Sequence, residues 1–203
     1  MKPRSLHLHL TTGLALAGTL FTACYSSRPG DPRAVPSPEI PTRRIILQAS
    51  FDTGAKDPDW PGDFLLAAHP PAGATGRAAR SVPRPGDGAA MIVLPIAPPH
   101  PVGADTRLRF RHHLTGASAI TVQIFDATVQ DNRHIRLETL EQGRWVTTEL
   151  DFTRDSRRND GSPDRAFPAG NLVDDLFFFV EGPGSGSAVL FLDDVVLFDV
   201  GTP

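Results

Sequence analysis

The sequence predicts an all-β chain: an antiparallel β-sandwich that follows a signal peptide and a proline-rich linker. Apolar and polar side chains alternate with a period of two through the middle of the chain, and no long segment has the period of a helix. Glycine and proline, with 18 and 20 copies, supply the turns that such a fold needs. The last predicted strand, residues 188–200, is largely apolar, and the adjacent carboxylates Asp193 and Asp194 interrupt its middle.

Residues 1–23 are predicted to be a signal peptide. A basic start precedes the apolar run Leu10–Phe21, which is too short to span a bilayer comfortably. The run ends at Thr22-Ala23-Cys24, and Cys24 is the only cysteine of the chain. This ending resembles the bacterial lipobox, in which the cysteine is lipidated and becomes the mature amino terminus. The alternative is ordinary secretion or a periplasmic location with a free thiol.

The lipobox resemblance implies a location in the bacterial cell envelope. Tyr25, in place of an aspartate after the cysteine, favours the outer membrane. Residues 24–43 would then be the lipidated cysteine and a tether, because five prolines between residues 25 and 43 prevent sheet pairing. The formal charge of the chain is −3, so no basic surplus points to nucleic acid.

The β-sandwich domain is expected to cover residues 44–200, with its first strand at Arg44–Phe51 and short apolar strands at Phe64–Ala67 and Ala89–Pro95. Residues 68–88 and 153–170 are rich in proline, glycine and charge, and are expected to be loops. The regular strands between and after them are predicted at Thr106–Leu114, Ala119–Phe125, Arg133–Leu140, Trp145–Phe152, Leu176–Val180 and 188–200.

The period of two assigns side chains to faces. In the strand at Thr106–Leu114, Leu108 and Phe110 share the core face, and Arg109 and Arg111 lie opposite them. His112 and His113 are consecutive and therefore lie on opposite faces, so they cannot chelate one metal ion together. His112 is expected at the edge of the core.

No catalytic motif is present in the sequence. Ser185 and Ser187 lie in a glycine-rich turn without the strand, elbow and helix of a hydrolase serine. We therefore expect a protein that is not an enzyme. The alternative is a small polysaccharide lyase or glycoside hydrolase, in which arginine and histidine would neutralise a uronate and move a proton. The absence of tyrosine from the domain favours the first interpretation.

Three segments in order carry a family resemblance. Phe51-Asp52-Thr53-Gly54 and Trp60 open the domain, Gly143–Phe152 lies in its middle, and Leu190–Leu197 closes it. This order resembles the galactose-binding-like jelly rolls, the fold of many carbohydrate-binding modules. The resemblance covers residues 44–200 and implies that the first and last strands lie side by side.

The same resemblance implies a structural calcium ion, held by Asp52 and Asp193 with Asp194 as a helper. Carboxylates are the hard oxygen ligands that calcium prefers. The alternative is a hydrogen-bonded aspartate pair at a strand bulge, or a pair with an arginine partner.

A ligand-binding face is predicted from outward polar side chains on strands expected to be neighbours: Arg109, Arg111, Gln123, His134 and Arg136. Such a cationic platform suits a polysaccharide, an acidic one above all, since arginine pairs well with carboxylates and sulfates. The alternative is a solvated sheet face without a ligand. Trp145 is expected to be structural. Trp60 is expected either to be structural or to stack on a sugar ring. The resulting hypothesis is a membrane-anchored, non-catalytic domain that binds carbohydrate.

Overall fold

Two six-stranded sheets account for nearly all of the chain that the structure, a computed structural model, describes: residues 43–52, 63–74, 76–160 and 167–201. The signal peptide, Cys24, the tether before Arg43, and Trp60 lie outside the described residues. Every pairing between the strands is antiparallel, which confirms the predicted fold class. No helix within the described ranges is long and apolar enough to cross a membrane.

Sheet A has the strand order β2-β3-β12-β6-β9, with β1 also paired to β12. Its strands are β1 (Arg43–Ala49), β2 (Leu65–Ala67), β3 (Ala78–Arg80), β6 (Thr106–Thr115), β9 (Trp145–Asp151) and β12 (Val189–Val200). Sheet B has the order β10-β8-β7-β11-β5-β4. Its strands are β4 (Val82–Pro83), β5 (Ala90–Pro101), β7 (Ala119–Asp126), β8 (Asp131–Leu137), β10 (Arg157–Arg158) and β11 (Leu172–Glu181). The helix α1 (Phe152–Asp155) follows β9.

The first and last strands lie side by side, as the resemblance implied. β1 pairs with β12 from Arg43 opposite Val200 to Ala49 opposite Val195. Residues 68–88 and 153–170 were expected to be loops, but they also contain the short strands β3, β4 and β10. Two or three residues are too few for a period of two to show, so these strands depend on their neighbours for definition.

The core lies between the two sheets and consists of the inward side chains of their central strands. In β6, the alternation places Leu108 and Phe110 in the core at 0% exposure, as predicted. Phe110 meets Phe178 of β11 edge to face, with ring centroids 5.1 Å apart. Burying a side chain of this kind contributes about 1.5–3 kcal/mol, so the two inward faces are the main source of stability.

His112 also belongs to the core and is fully buried, deeper than the expected position at the core edge. Burial, assisted by the adjacent His113, lowers the pKa of His112 to about 4. The imidazole is therefore neutral at pH 7, and its Nδ1 lies 3.5 Å from the Thr148 hydroxyl. His113 is on the opposite face, as predicted, so the two imidazoles cannot bind one metal ion together.

One charged network is enclosed at the end of sheet B. Asp126, at 0% exposure, accepts hydrogen bonds through Oδ2 from Arg133 Nε at 3.0 Å and from Asn171 Nδ2 at 2.8 Å. The Arg133 guanidinium lies 4.7 Å from the centre of the Phe167 ring. A buried charge needs a partner and hydrogen bonds to be tolerated, and this network supplies both for Asp126.

Candidate functional site

The predicted platform is divided between the two sheets. Arg109 and Arg111 lie on β6 in sheet A, and Gln123, His134 and Arg136 lie on β7 and β8 in sheet B. The prediction that these five residues share one face is wrong, because the chain crosses from one sheet to the other between β6 and β7. Each residue does face outward within its own strand, as the alternation predicted.

The outer face of sheet B is built around β11. Phe177 lies opposite Gln123 of β7, and Gln123 lies opposite His134 of β8. Phe179 lies one step further along, in the row that continues through Thr121 to Arg136. We call this surface the sheet B platform, defined by Phe177, Phe179, Gln123, His134 and Arg136.

Two stacked aromatic rings occupy the centre of the sheet B platform. The rings of Phe177 and Phe179 are 5.6 Å apart and inclined by only 12°. Both side chains face outward and are partly exposed to solvent. Stacked aromatic rings on an outer sheet face provide a flat apolar surface on which a ligand can pack.

Several polar atoms near the platform lack a hydrogen-bond partner among the described residues. They include His134 Nδ1, and Asn132 Oδ1 in the neighbouring row of β8. Asp175 lies two residues before Phe177 in β11, and burial, followed by the nearby Asp174, raises its pKa. Buried polar groups are nearly always paired in proteins, so these unpaired buried atoms are unusual features beside the platform.

Two arginines beside the platform already have carboxylate partners. Arg136 contacts Glu181 Oε2 through Nη1 at 2.5 Å and Glu138 Oε1 through Nε at 2.9 Å. Arg84 lies 5.0 Å from the centre of the Phe179 ring and is paired with Asp87. The charges of these two arginines are therefore largely balanced, whereas Arg157 of β10, opposite His134, is exposed and makes no ion pair with a described residue. A preference for acidic polysaccharide stays a prediction.

Asp193 and Asp194 meet Arg111 on the outer face of sheet A. Arg111 Nη1 lies 3.6 Å from Asp193 Oδ2 and 3.4 Å from Asp194 Oδ2. A bulge between Asp193 and Val196 gives Asp194 a left-handed backbone, with φ +48°. Asp193 faces away from the core because it alternates regularly with the inward Leu190 and Leu192. The bulge that follows turns Asp194 away from the core as well, and its side chain is 50% exposed.

Asp193 is nevertheless fully buried. Burial and then Asp194 raise its pKa, with a smaller contribution from Asp52, while Arg111 and the Asp194 amide oppose the shift. Asp52 accepts a hydrogen bond from the Arg77 amide at 3.1 Å. The charges of the three predicted calcium ligands therefore act on one another in this region.

The fit of these residues to calcium is partial. Within the described ranges, no group of three or more acidic, histidine or cysteine side chains is placed to hold a metal ion. Arg111 supplies a positive charge beside two of the carboxylates. Calcium at Asp52, Asp193 and Asp194 remains a prediction. The alternative, a bulge with an arginine partner, is supported by the contacts of Arg111 with Asp193 and Asp194.

Trp145 holds the segment that follows β2. Its Nε1 donates a hydrogen bond to the Pro71 carbonyl at 3.1 Å, and the Arg111 guanidinium lies 5.3 Å from the centre of its ring. Arg111 also donates to the Gly73 carbonyl at 2.7 Å. These contacts agree with the structural role that was expected for Trp145.

Comparison with known proteins finds similarity of structure alone. No protein-family model matches the chain, and no curated protein matches it. The CBM22-1 xylan-binding domain of Paenibacillus barcinonensis Xyn10C has a TM-score of 0.50 and 14% identity, over 81% of this chain and 99% of that domain. A family 11 carbohydrate-binding module from Clostridium thermocellum, solved with a β-1,3-1,4-mixed-linked tetrasaccharide, has a TM-score of 0.50 and 15% identity. That match covers 76% of this chain and 94% of the module. At these identities the likeness is one of fold: the chain shares the antiparallel β-sandwich of these modules.

Proposed function

We propose that this chain is a lipoprotein of the bacterial cell envelope whose non-catalytic β-sandwich binds polysaccharide on the sheet B platform. The observation that carries the binding proposal is the stacked pair Phe177 and Phe179, half-buried on an outer sheet face. The likeness to carbohydrate-binding modules supports the ligand class.

The chemistry of the platform matches a neutral sugar chain. The apolar face of a pyranose ring covers an aromatic ring, and the release of water from both surfaces favours the contact. Hydroxyl groups around the sugar ring would meet Gln123, His134 and Asp175. His134 is only partly buried, so its imidazole can also contact a sugar hydroxyl.

The binding proposal is tested by electrophoresis of the native protein through gels that contain xylan or mixed-linkage β-glucan. We expect retardation of the wild type in at least one gel, and a loss of affinity of at least about tenfold in Phe177→Ala and in Phe179→Ala, since anchors of this kind dominate binding. Ile45→Ala is the matched control, because Ile45 is an apolar side chain on sheet A that is 45% exposed. Retardation that all four proteins share would contradict the proposal.

The alternative of a small polysaccharide lyase or glycoside hydrolase is decided with the same polysaccharides. Asp175, with its raised pKa, and His134 lie on the same sheet face and are the titratable pair that such chemistry would use. A reducing-end assay is expected to show no release by the wild type. Release that His134→Ala removes would establish the enzyme instead.

The anchor proposal depends on the amino-terminal sequence. We expect mass spectrometry of the membrane fraction to find an acylated peptide that begins at Cys24, and Cys24→Ala to shift the protein out of that fraction. Separation of the two membranes then tests the outer-membrane location. An intact, unmodified chain in the soluble secreted fraction would exclude the lipid anchor and leave the secreted or periplasmic alternative.

A further inference from the structure

Sheet A has a separate cleft on its outer face, with a volume of about 660 Å³. Four side chains form a row across its floor, from Leu65 of β2 through Arg80 of β3 and Phe191 of β12 to His113 of β6. Apolar groups make up most of the wall, and Leu65 is 54% exposed although it is a large apolar residue. An apolar wall with a few polar groups is the general form of a small-molecule site.

The charged and titratable groups that line the cleft are all basic. They are Arg80, His69 and His113, and none of the described residues that line the cleft is acidic. Arg80 is exposed and makes no ion pair with any described residue. This differs from the sheet B platform, where Arg136 and Arg84 are both paired. The cleft therefore favours a negatively charged group beside an apolar body.

His113 gives the cleft a hydrogen-bonding group with an unmet requirement. Its side chain is only 7% exposed, and Nδ1 has no partner among the described residues. The imidazole is fixed between two aromatic rings, with centroids 6.1 Å from Phe191 and 5.7 Å from Trp145. A group held in this way is already oriented before a ligand arrives, which reduces the entropy cost of binding.

We propose that this cleft binds a small aromatic carboxylate. The aromatic ring packs between Leu65 and Phe191, and the carboxylate pairs with Arg80 as a charge-assisted hydrogen-bond acceptor. His113 contributes a hydrogen bond from the floor of the cleft. The site is on the sheet opposite the polysaccharide platform and does not depend on the proposed function.

The proposal is tested by calorimetric titration of the full chain with 2-naphthoate, with the neutral 2-naphthalenemethanol as the matched probe. We expect saturable binding of the acid that is at least about tenfold tighter than binding of the alcohol. Arg80→Ala should remove this preference, and Arg80→Lys should retain part of it because the charge remains. Phe191→Ala should lower the affinity for both probes.

Phe177→Ala provides the control on the opposite sheet and should leave naphthoate binding unchanged. Absence of saturable naphthoate binding at millimolar concentration would overturn the proposal. Equal affinity for acid and alcohol, or naphthoate binding that Phe177→Ala removes, would overturn it as well. Failure of polysaccharide binding would leave these expectations intact, so the two sites are tested separately.

Discussion

Asp126→Ala is expected to lower the free energy of unfolding by about 3–5 kcal/mol, because it leaves the buried Arg133 guanidinium without its partner. Arg133 is 1% exposed and its Nη1 already lacks a partner among the described residues. The substitution also removes the acceptor of Asn171 Nδ2. Urea denaturation followed by circular dichroism gives the change, with ΔG linear in urea concentration.

Two controls separate this effect from the loss of any carboxylate. Asp87→Ala removes an exposed ion pair with Arg84 and should leave the urea midpoint almost unchanged. The double substitution Asp126→Leu/Arg133→Met replaces both charges by apolar groups and should cost less than Asp126→Ala alone. Equal midpoints for Asp126→Ala and Asp87→Ala would show that the network does not stabilise the fold.

Calcium is expected to raise the free energy of unfolding by about 2.7 kcal/mol at a hundredfold excess over its dissociation constant. The physical reason is that calcium would bind Asp52, Asp193 and Asp194 only where the folded chain brings them together. Burial and the neighbouring carboxylates raise the pKa of Asp193, and Arg111 opposes this shift. A folded pKa above the unfolded value means that stability falls as pH rises from the unfolded pKa through the folded one. A cation that binds the ionised form would restore that stability above this range.

The calcium prediction is tested by measuring the melting temperature at pH 7, first with chelator and then with added calcium. Asp193→Asn should abolish the response to both, and Asp160→Asn, on the surface near β10, should retain it. Melting of the wild type that is indifferent to chelator and calcium would exclude the site. Arg111, which contacts both Asp193 and Asp194, would then be their cationic partner, and Arg111→Met should destabilise the domain.

The sequence predicted which face each side chain occupies better than it predicted which sheet each strand joins. The alternation in β6, β7 and β8 correctly assigned inward and outward side chains, because a period of two is a local property of each strand. Which strands become neighbours depends on the crossing between sheets, which leaves no periodic signal. Arg109 and Arg136 were therefore assigned to one face although they lie on different sheets.

The aromatic pair was missed for a related reason. Phe177, Phe178 and Phe179 are consecutive, and such a run resembles a strand buried on both faces. Only Phe178 enters the core, and the other two rings stack on the outer face. The signal was available in the alternation of β11, where Leu176, Phe178 and Val180 form the inward set.

The closing strand shows a further limit. Strict alternation would place Asp193 and Asp194 on opposite faces, but the left-handed backbone at Asp194 changes the register within β12. Bulges of this kind are not visible in a hydrophobic pattern, although a pair of charges inside an apolar strand is a reason to expect one. The contact with Arg111 was foreseen only as an unnamed arginine partner.

The location of polysaccharide binding is tested most directly by amide chemical-shift mapping during titration with a xylan or mixed-linkage β-glucan oligosaccharide. We predict that the shifts concentrate in residues 121–123, 134–136 and 177–179, and that Phe177→Ala removes them. Saturable binding with shifts in β6 and β12 of sheet A instead, or no shifts with any such oligosaccharide, would contradict the assignment of the sheet B platform as the binding site.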